Sequence, residues 1–115
     1  MTTNQRYCKA MDLTGFTAWM RGHGLQATTM SSYRSGVRRI LEMAGCGEMT
    51  IAEVIDSPPS VEQMASVNAA LTVVERRTLG GSWRAFTSWL TVVHNVDVVN
   101  PLVVERSRRA RLPTA

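Results

Sequence analysis

The chain has 115 residues, a formal net charge of +4, and hydrophobic residues at 44% of its positions. This length is close to the usual size of one domain, and this apolar content is enough for one hydrophobic core. No apolar run approaches the roughly 20 residues that a membrane-spanning helix needs, and the N-terminus lacks the charged-then-apolar pattern of a signal peptide. We therefore expect a single domain in the cytoplasm.

Arginine supplies nearly all of the positive charge, because Lys9 is the only lysine among thirteen basic residues. A guanidinium binds phosphates and base edges through two parallel hydrogen bonds, which an ammonium does not. Codon usage in a GC-rich genome explains the ratio equally well, so the positions of the arginines carry more information. Cys8 and Cys46 are too few for a disulfide framework or a zinc site, and His23 and His94 lack a second ligand at a recognised spacing. We expect neither a metal nor a cofactor.

Two amphipathic helices are predicted in the first half of the chain. A slightly basic arm, residues 1–11, precedes a short helix from Asp12 to Arg21, in which Asp12 is the candidate N-cap. Its apolar residues fall at helical spacing and are Leu13, Phe16, Trp19 and Met20. The next helix is capped by Thr28 or Thr29 and ends at two closely spaced glycines. Its apolar stripe consists of Met30, Tyr33, Val37, Ile40, Leu41 and Ala44.

Two capping boxes mark the starts of the next helices. In this motif a Ser or Thr and a Glu or Gln three residues later each accept a hydrogen bond from the other's backbone N–H. Thr50-Ile51-Ala52-Glu53 opens a short helix to about Asp56, and Ser60-Val61-Glu62-Gln63 opens a longer one to about Glu75. The longer helix is expected to bury Val61, Met64, Val67, Leu71 and Val74.

The last long helix is predicted from about Ser82 to Asn95. A connection with Arg76-Arg77-Thr78 and Gly80-Gly81 precedes it, and two glycines at a helix start leave room for a phosphate, although close packing explains them equally well. Its inward residues are Trp83, Phe86, Trp89, Leu90, Val93 and Val96. Its opposite face, which suits a polyanion but is also typical of an ordinary solvated helix, consists of Arg84, Thr87, Ser88, Thr91 and Asn95.

These elements predict an all-α fold, an orthogonal bundle of four to five helices. Residues 12–99 form the helical domain, and residues 100–115 form a basic linker or tail. The sequence contains no Gly-x-Ser-x-Gly, phosphate-binding glycine loop, Cys-x-x-Cys or His-Glu-x-x-His motif, and no pair of carboxylates stands out as an acid and base couple. We expect this chain to have no catalytic activity of its own.

The positions of the basic and hydroxyl residues favour nucleic-acid binding. Arginines recur on the second helix, around the last helix and in the tail, together with short hydroxyl side chains of the kind that contact phosphate oxygens. The aromatic residues fall on apolar stripes, so we expect them in the core and favour duplex over single-stranded ligands. The predicted DNA-binding residues are Thr28, Thr29, Ser31, Tyr33, Arg34, Arg38, Arg76, Arg77, Thr78, Arg84, Ser88, Arg106, Arg108, Arg109 and Arg111.

Three motifs follow one another in a recognisable order. The first is Phe16-Thr17-Ala18-Trp19-Met20 followed by Gly24-Leu25-Gln26-Ala27-Thr28-Thr29-Met30-Ser31-Ser32-Tyr33-Arg34. The second is Trp83-Arg84-Ala85-Phe86-Thr87-Ser88-Trp89-Leu90, and the third is Asn100-Pro101 with a run of arginines up to Leu112-Pro113. In these motifs the chain resembles the SAM-like core-binding domain of tyrosine recombinases of the phage-integrase type. Two features depart from the pattern: Gln26, where that family commonly has serine, and Gly80-Gly81 before the last helix, where larger residues are common.

The resemblance implies binding of double-stranded DNA at a recombination or attachment site, with the helices at 29–44 and 82–95 facing the DNA. Integration or excision would then be catalysed by a separate domain that carries the tyrosine nucleophile, and Tyr33 would be a packing or phosphate-contacting residue. The expected state is a monomer in solution that meets other recombinase protomers on DNA. Two alternatives stay open: a stand-alone DNA-binding regulator or accessory protein of the same fold, and a helical protein-interaction module.

Overall fold

A computed structural model describes residues 12–98. The predicted arm and the whole predicted tail, including Arg106, Arg108, Arg109 and Arg111, lie outside the described residues. Within residues 12–98 the chain forms helices and no strand, which confirms the predicted all-α fold. The helices are α1 (Thr14–Gly22), α2 (Ala27–Met43), α3 (Ile51–Asp56), α4 (Val61–Ala70) and α5 (Val73–His94). None of them combines the length and the apolarity that crossing a bilayer requires.

The core is centred on aromatic contacts between α1 and α5, with α2 packed against both. Phe16 of α1 contacts Phe86 and Trp89 of α5, at ring-centroid distances of 5.4 and 5.7 Å. Aromatic pairs in such edge-on or tilted arrangements add about 0.5–1.5 kcal/mol to the stability that burial alone provides. Val37 and Ile40 of α2 are fully buried in the same cluster. The three helices therefore share one hydrophobic core.

A close approach between α2 and α5 occurs where small residues face each other. A Cβ atom added to Gly36 of α2 would lie 2.3 Å from Oγ of Ser82 and 2.7 Å from its Cβ. A Cβ added to Gly81 would lie 3.2 Å from the hydroxyl oxygen of Tyr33. Glycine is the residue that permits one backbone to come this close to another element. The two helices therefore meet through a glycine on each side.

The predicted starts of α1 and α2 are each displaced. α1 begins at Thr14 with Leu13 at the N-cap position, and Oδ1 of Asp12, one residue earlier, accepts from the hydroxyl and the backbone N–H of Thr14 at 2.8 and 3.4 Å. α2 has Gln26 as its N-cap residue and no side-chain cap, so the prediction that Thr28 or Thr29 caps it is wrong. Both threonines lie in the first turn of the helix, and their hydroxyls do not cap it.

The boundary between α4 and α5 differs most from the prediction. The capping boxes that open α3 and α4 are confirmed, but α4 ends at Ala70 and α5 begins at Val73. A third capping box, which the sequence interpretation missed, fixes this start. Oγ1 of Thr72 accepts from the backbone N–H of Glu75 at 3.1 Å, and Oε1 of Glu75 accepts from that of Thr72 at 2.9 Å.

The early start of α5 places the predicted connection inside a helix. Arg76, Arg77, Thr78, Gly80 and Gly81 are all helical residues of α5. The prediction of a helix N-terminus near residue 80, with glycines open to a phosphate, is therefore wrong. A mid-helix backbone N–H bonds to the preceding turn and is not available to a ligand. Gly81 instead packs against Tyr33, and Gly80 is buried.

Four side chains lie on a different side of their helix from the one predicted. Val61, Val74 and Val93 are 59%, 69% and 51% exposed, although the apolar stripes assigned them to the interior. The prediction for Val74 was wrong because this residue belongs to α5 and not to the apolar stripe of α4. Thr87, assigned to the solvated face, is buried, and its hydroxyl donates to the carbonyl of Arg84 at 3.0 Å. This bond satisfies the buried hydroxyl within its own helix.

We expect Gly36→Ala to destabilise the fold by about 1–3 kcal/mol, because the added methyl overlaps Ser82 in a packed interface. Gly→Ala inside a helix otherwise stabilises by about 0.5–1 kcal/mol, so the sign of the change is diagnostic. Urea denaturation of the purified variants measures it. Gly22→Ala, where a Cβ would meet nothing within 4 Å, is the matched control and should be neutral or stabilising. Adding Ser82→Gly to Gly36→Ala should recover part of the loss, and equal effects at the two glycines would contradict this account of the interface.

The capping box of α5 should make stability depend on pH. The hydrogen bond from the Thr72 backbone, with help from the charge of Arg39, holds the pKa of Glu75 below its ordinary value. A group whose pKa is lower in the folded state stabilises above its unfolded-state pKa, and this contribution is lost as the pH falls through the folded-state pKa. Glu75→Gln keeps the cap geometry but removes the charge. It should lower the urea midpoint at neutral pH and have little effect below both pKa values, whereas an equal effect at both pH values would refute the charge assignment.

Candidate nucleic-acid interface

A groove between α1 and α2 brings three arginines together. It has a volume of about 330 Å³ and is lined by Arg21 of α1 and by Arg34 and Arg38 of α2. Nη1 of Arg34 donates to the hydroxyl oxygen of Thr17 at 3.3 Å, and that hydroxyl donates to the carbonyl of Leu13 at 2.8 Å. The half-buried Arg34 is thus oriented by α1. We call this feature, defined by its three arginines, the arginine groove.

The arginine groove has an excess of positive charge. Among the described residues, Asp12 is the one carboxylate on its lining, and this carboxylate accepts from the Thr14 hydroxyl at 2.8 Å. Guanidinium groups that converge from two helices can bind phosphate oxygens through charge-assisted and bidentate hydrogen bonds. The hydroxyls of Thr14 and Thr17 lie beside them but donate their hydrogens to Asp12 and to the carbonyl of Leu13, so the arginines are the donors of the groove. The groove is therefore chemically suited to a phosphate group.

A second groove lies on the other flank of α2, between this helix, the end of α1 and the middle of α5. Its volume is about 280 Å³, and we call it the aromatic groove. Its rings are those of Trp19, His23 and Tyr33. Its polar side chains are those of Thr29, Arg84 and Ser88, which lie beside Leu25, Gly81 and Ala85. Within residues 12–98, this lining contains one arginine, Arg84, and no lysine, aspartate or glutamate.

Trp19 and His23 form a pair at the mouth of the aromatic groove. Their ring centroids are 4.4 Å apart, and Nδ1 of His23 lies 2.9 Å from the carbonyl oxygen of Trp19. Because a carbonyl only accepts, this nitrogen is assigned as the donor. Trp19 was predicted in the core, but its side chain is half-buried, unlike the fully buried Trp83. Part of the indole is therefore open to a ligand.

The structure separates the predicted DNA-binding residues into two groups. Arg34 and Arg38 lie in the arginine groove, whereas Thr29, Tyr33, Arg84 and Ser88 lie together in the aromatic groove. Thr28 and Ser31 are exposed on α2, on the outward face that the helical period places between the two grooves. Arg77 is exposed on α5, seven residues and thus two turns before Arg84.

Arg76 makes hydrogen bonds within the fold. Its Nη1 donates to the carbonyls of Asn68 and Leu71 at 2.9 and 3.0 Å, where α4 ends. The last carbonyls of a helix have no partners within it, so a guanidinium placed there caps the helix. The hydroxyl of Thr78 donates to the carbonyl of Val74 in the preceding turn. Both side chains therefore have hydrogen-bond partners within the fold.

The groove residues that the sequence interpretation did not select as site residues include Arg21, Trp19, His23 and Leu25. They lie at the end of α1 or in the loop after it, and they reach the grooves only because α1 folds back along α2. The hydrogen bond between Arg34 of α2 and Thr17 of α1, which are seventeen residues apart in the sequence, shows that these two helices are packed together. No local sequence signal specifies it, although a short loop between two amphipathic helices is a general sign of antiparallel packing.

Charge is segregated along the fold. Residues 40–75 contain no basic residue, whereas the arginines of the described part lie on α1, α2 and α5. Residues 12–98 hold seven arginines and eight carboxylates, a formal charge of −1, so the excess positive charge of the chain lies outside them. The acidic residues of the segment are Glu42, Glu48, Glu53, Asp56, Glu62 and Glu75. Such an asymmetric charge distribution orients a protein toward a polyanion even without a net positive charge.

Residues 12–98 contain no group of three histidine, cysteine or acidic side chains placed to hold a metal ion. Comparisons with family models, curated proteins and solved structures give no match to this chain. The likeness to recombinase core-binding domains therefore stays a prediction that rests on the three sequence motifs.

The roles of two neighbouring arginines can be separated by stability. Arg76→Ala should lower the free energy of unfolding by about 1.5–3 kcal/mol, because charged hydrogen bonds to the end of α4 are lost. Arg77→Ala, at an exposed position, should change it by less than about 0.5 kcal/mol. Urea denaturation of both variants makes the comparison at equal net charge. A similar loss in both would mean that the end of α4 does not depend on Arg76.

Proposed function

We propose that this chain is a cytoplasmic DNA-binding domain that contacts double-stranded DNA through α2 and α5. The observation that carries the proposal is the arginine groove, where the guanidinium groups of Arg21, Arg34 and Arg38 face a lining with one carboxylate. An exposed arginine is common on any protein surface. Three that converge from two helices beside hydroxyl groups form an arrangement that suits the closely spaced phosphates of a duplex.

In the proposed binding mode, the outward face of α2 lies toward the DNA. Thr28 and Ser31 on this face have short side chains that allow the helix backbone to come near the duplex. On α5, Arg77 and Arg84 lie two turns apart and supply further phosphate contacts. The tail arginines, known from the sequence alone, add attraction that does not depend on DNA sequence. The acidic residues on α3 and α4 favour an orientation in which this end points away from the phosphates.

The resemblance extends the proposal to the core-binding domain of a tyrosine recombinase or integrase. The chain would then supply DNA binding as one part of a clamp, and strand cleavage would be the task of a separate catalytic domain. A monomer in solution and other protomers as neighbours on DNA belong to the same proposal. A stand-alone regulator of the same fold would make the same contacts, so the binding experiment below applies to both.

Salt-dependent binding of a fluorescent duplex tests the proposal. If four to six phosphates are neutralised, the log–log plot of affinity against salt should have a slope of roughly −4 to −5. Arg34→Gln should weaken binding and reduce the magnitude of this slope by about 1. Anisotropy titrations at several salt concentrations give both quantities. Absence of binding to any duplex at low salt, or an affinity that does not respond to salt, would overturn the proposal.

Arg39→Gln is the matched control for this titration. Arg39 lies on the same helix and the substitution removes the same charge, but its guanidinium pairs with Glu75 at 2.9 Å outside both grooves. An exposed pair of this kind contributes about 0–1 kcal/mol, so the variant should fold. It should keep most of the affinity and the full salt slope. Equal losses of DNA affinity in the two variants would mean that binding depends on the total charge of the protein and not on the arginine groove.

A further inference from the structure

We propose that the aromatic groove binds one unstacked nucleotide, with its base against Trp19 and Tyr33 and its phosphate at Arg84. This inference rests on the proposed function. It deepens that function by naming a second DNA element, in addition to the paired duplex, that would bind to the surface of α2 and α5. Such an element is a nucleotide that has left the base stack, at a bulge, a nick or a strand end.

The rings of the groove provide the surface for the base. Trp83 and Trp89 are 0% and 4% exposed, so they belong to the core, whereas Trp19 is half-buried and lines the groove. Tyr33 adds a second half-buried ring from α2, and His23 lies against Trp19. Partly open aromatic side chains stack with nucleobases irrespective of base identity. The groove thus offers two ring systems from two different helices to one planar ligand.

The dimensions of the groove match a single nucleotide. Its 280 Å³ is close to the lower end of the roughly 300–1,000 Å³ that small-molecule sites occupy. Gly81 and Ala85 supply small residues from α5, so no long side chain of this helix fills the space at these positions. A paired duplex is too wide to enter a groove of this volume. A lone base with its sugar is an occupant of suitable size and shape.

The polar lining favours an anionic ligand. Arg84 is exposed, and within residues 12–98 no carboxylate lines the groove. The hydroxyls of Thr29 and Ser88 are further donors of the kind that contact phosphate oxygens. An acidic peptide with an apolar side chain could also place a negative charge beside Arg84. We favour the nucleotide because the groove opens on the α2 and α5 surface proposed to contact DNA, and because its rings suit a planar partner.

The test compares a fully paired duplex with the same duplex carrying one extrahelical thymidine, by anisotropy and by intrinsic tryptophan fluorescence. Stacking of one base predicts that the bulged duplex binds about tenfold more tightly. It should also quench tryptophan emission, and Trp19→Phe should abolish the quenching, because the other two tryptophans are buried. Equal affinities without quenching would overturn the inference and leave the proposed function standing. Loss of binding to both duplexes would overturn both.

Two variants separate the groove from general DNA affinity. Ala85→Leu fills the groove without changing charge, so it should remove the preference for the bulged duplex and retain binding of the paired one. Arg84→Gln should reduce the preference as well. Arg77→Gln removes the same charge from the same helix outside the groove, and it should weaken both duplexes equally and leave the preference intact. A preference that survives Ala85→Leu, or quenching by an acidic peptide but not by the bulged duplex, would contradict a nucleotide site.

Discussion

The contact of α2 with α5 at Gly36 and Ser82 determines where the other features lie. Because a Cβ at Gly36 would come within 2.3 Å of the Ser82 hydroxyl, the two helices have a separation that no larger residue permits. This separation brings Tyr33 against Gly81, and the two residues together line the aromatic groove. α1 then packs across the pair through Phe16. The core and the aromatic groove therefore depend on one small-residue contact, in which packing leaves little freedom for adjustment.

Local charge, not net charge, is what the described fold offers to a polyanion. The chain carries a formal +4, but residues 12–98 carry −1. Some of the arginines in this part are already engaged in the fold, since Arg76 caps α4 and Arg39 pairs with Glu75. Arg21 and Arg34 lie together in one groove, and Arg84 lies in the other. The positions that these arginines occupy therefore matter more for recognition than their number, because short-range bidentate contacts depend on placement.

The sequence predicted those features that local chemistry determines. The apolar stripe of α2 and the capping boxes of α3 and α4 are confirmed, since each depends on residues within a few turns of one another. The start of α5 was wrong because Gly80 and Gly81 have the composition of a turn, whereas both are helical and Gly81 packs against Tyr33 of α2. The hydrogen bonds of Arg76 to carbonyls at the end of α4 were likewise not predicted. Contacts between helices that are distant in sequence decide these cases, and no local pattern specifies them.

The placement of the two grooves is consistent with a single mode of DNA contact. An α-helix with its side chains is about 10–12 Å across, which is close to the roughly 12 Å width of the major groove of B-DNA. If the outward face of α2 enters this groove, the flanks of the helix face the two sugar-phosphate backbones. Arg34 lies on one flank of α2. Arg84, which belongs to α5, lies beyond the other flank, across the aromatic groove. A nucleotide displaced from the strand beside Arg84 would then meet Trp19 and Tyr33 first, so the two proposals follow from one orientation of the same helix.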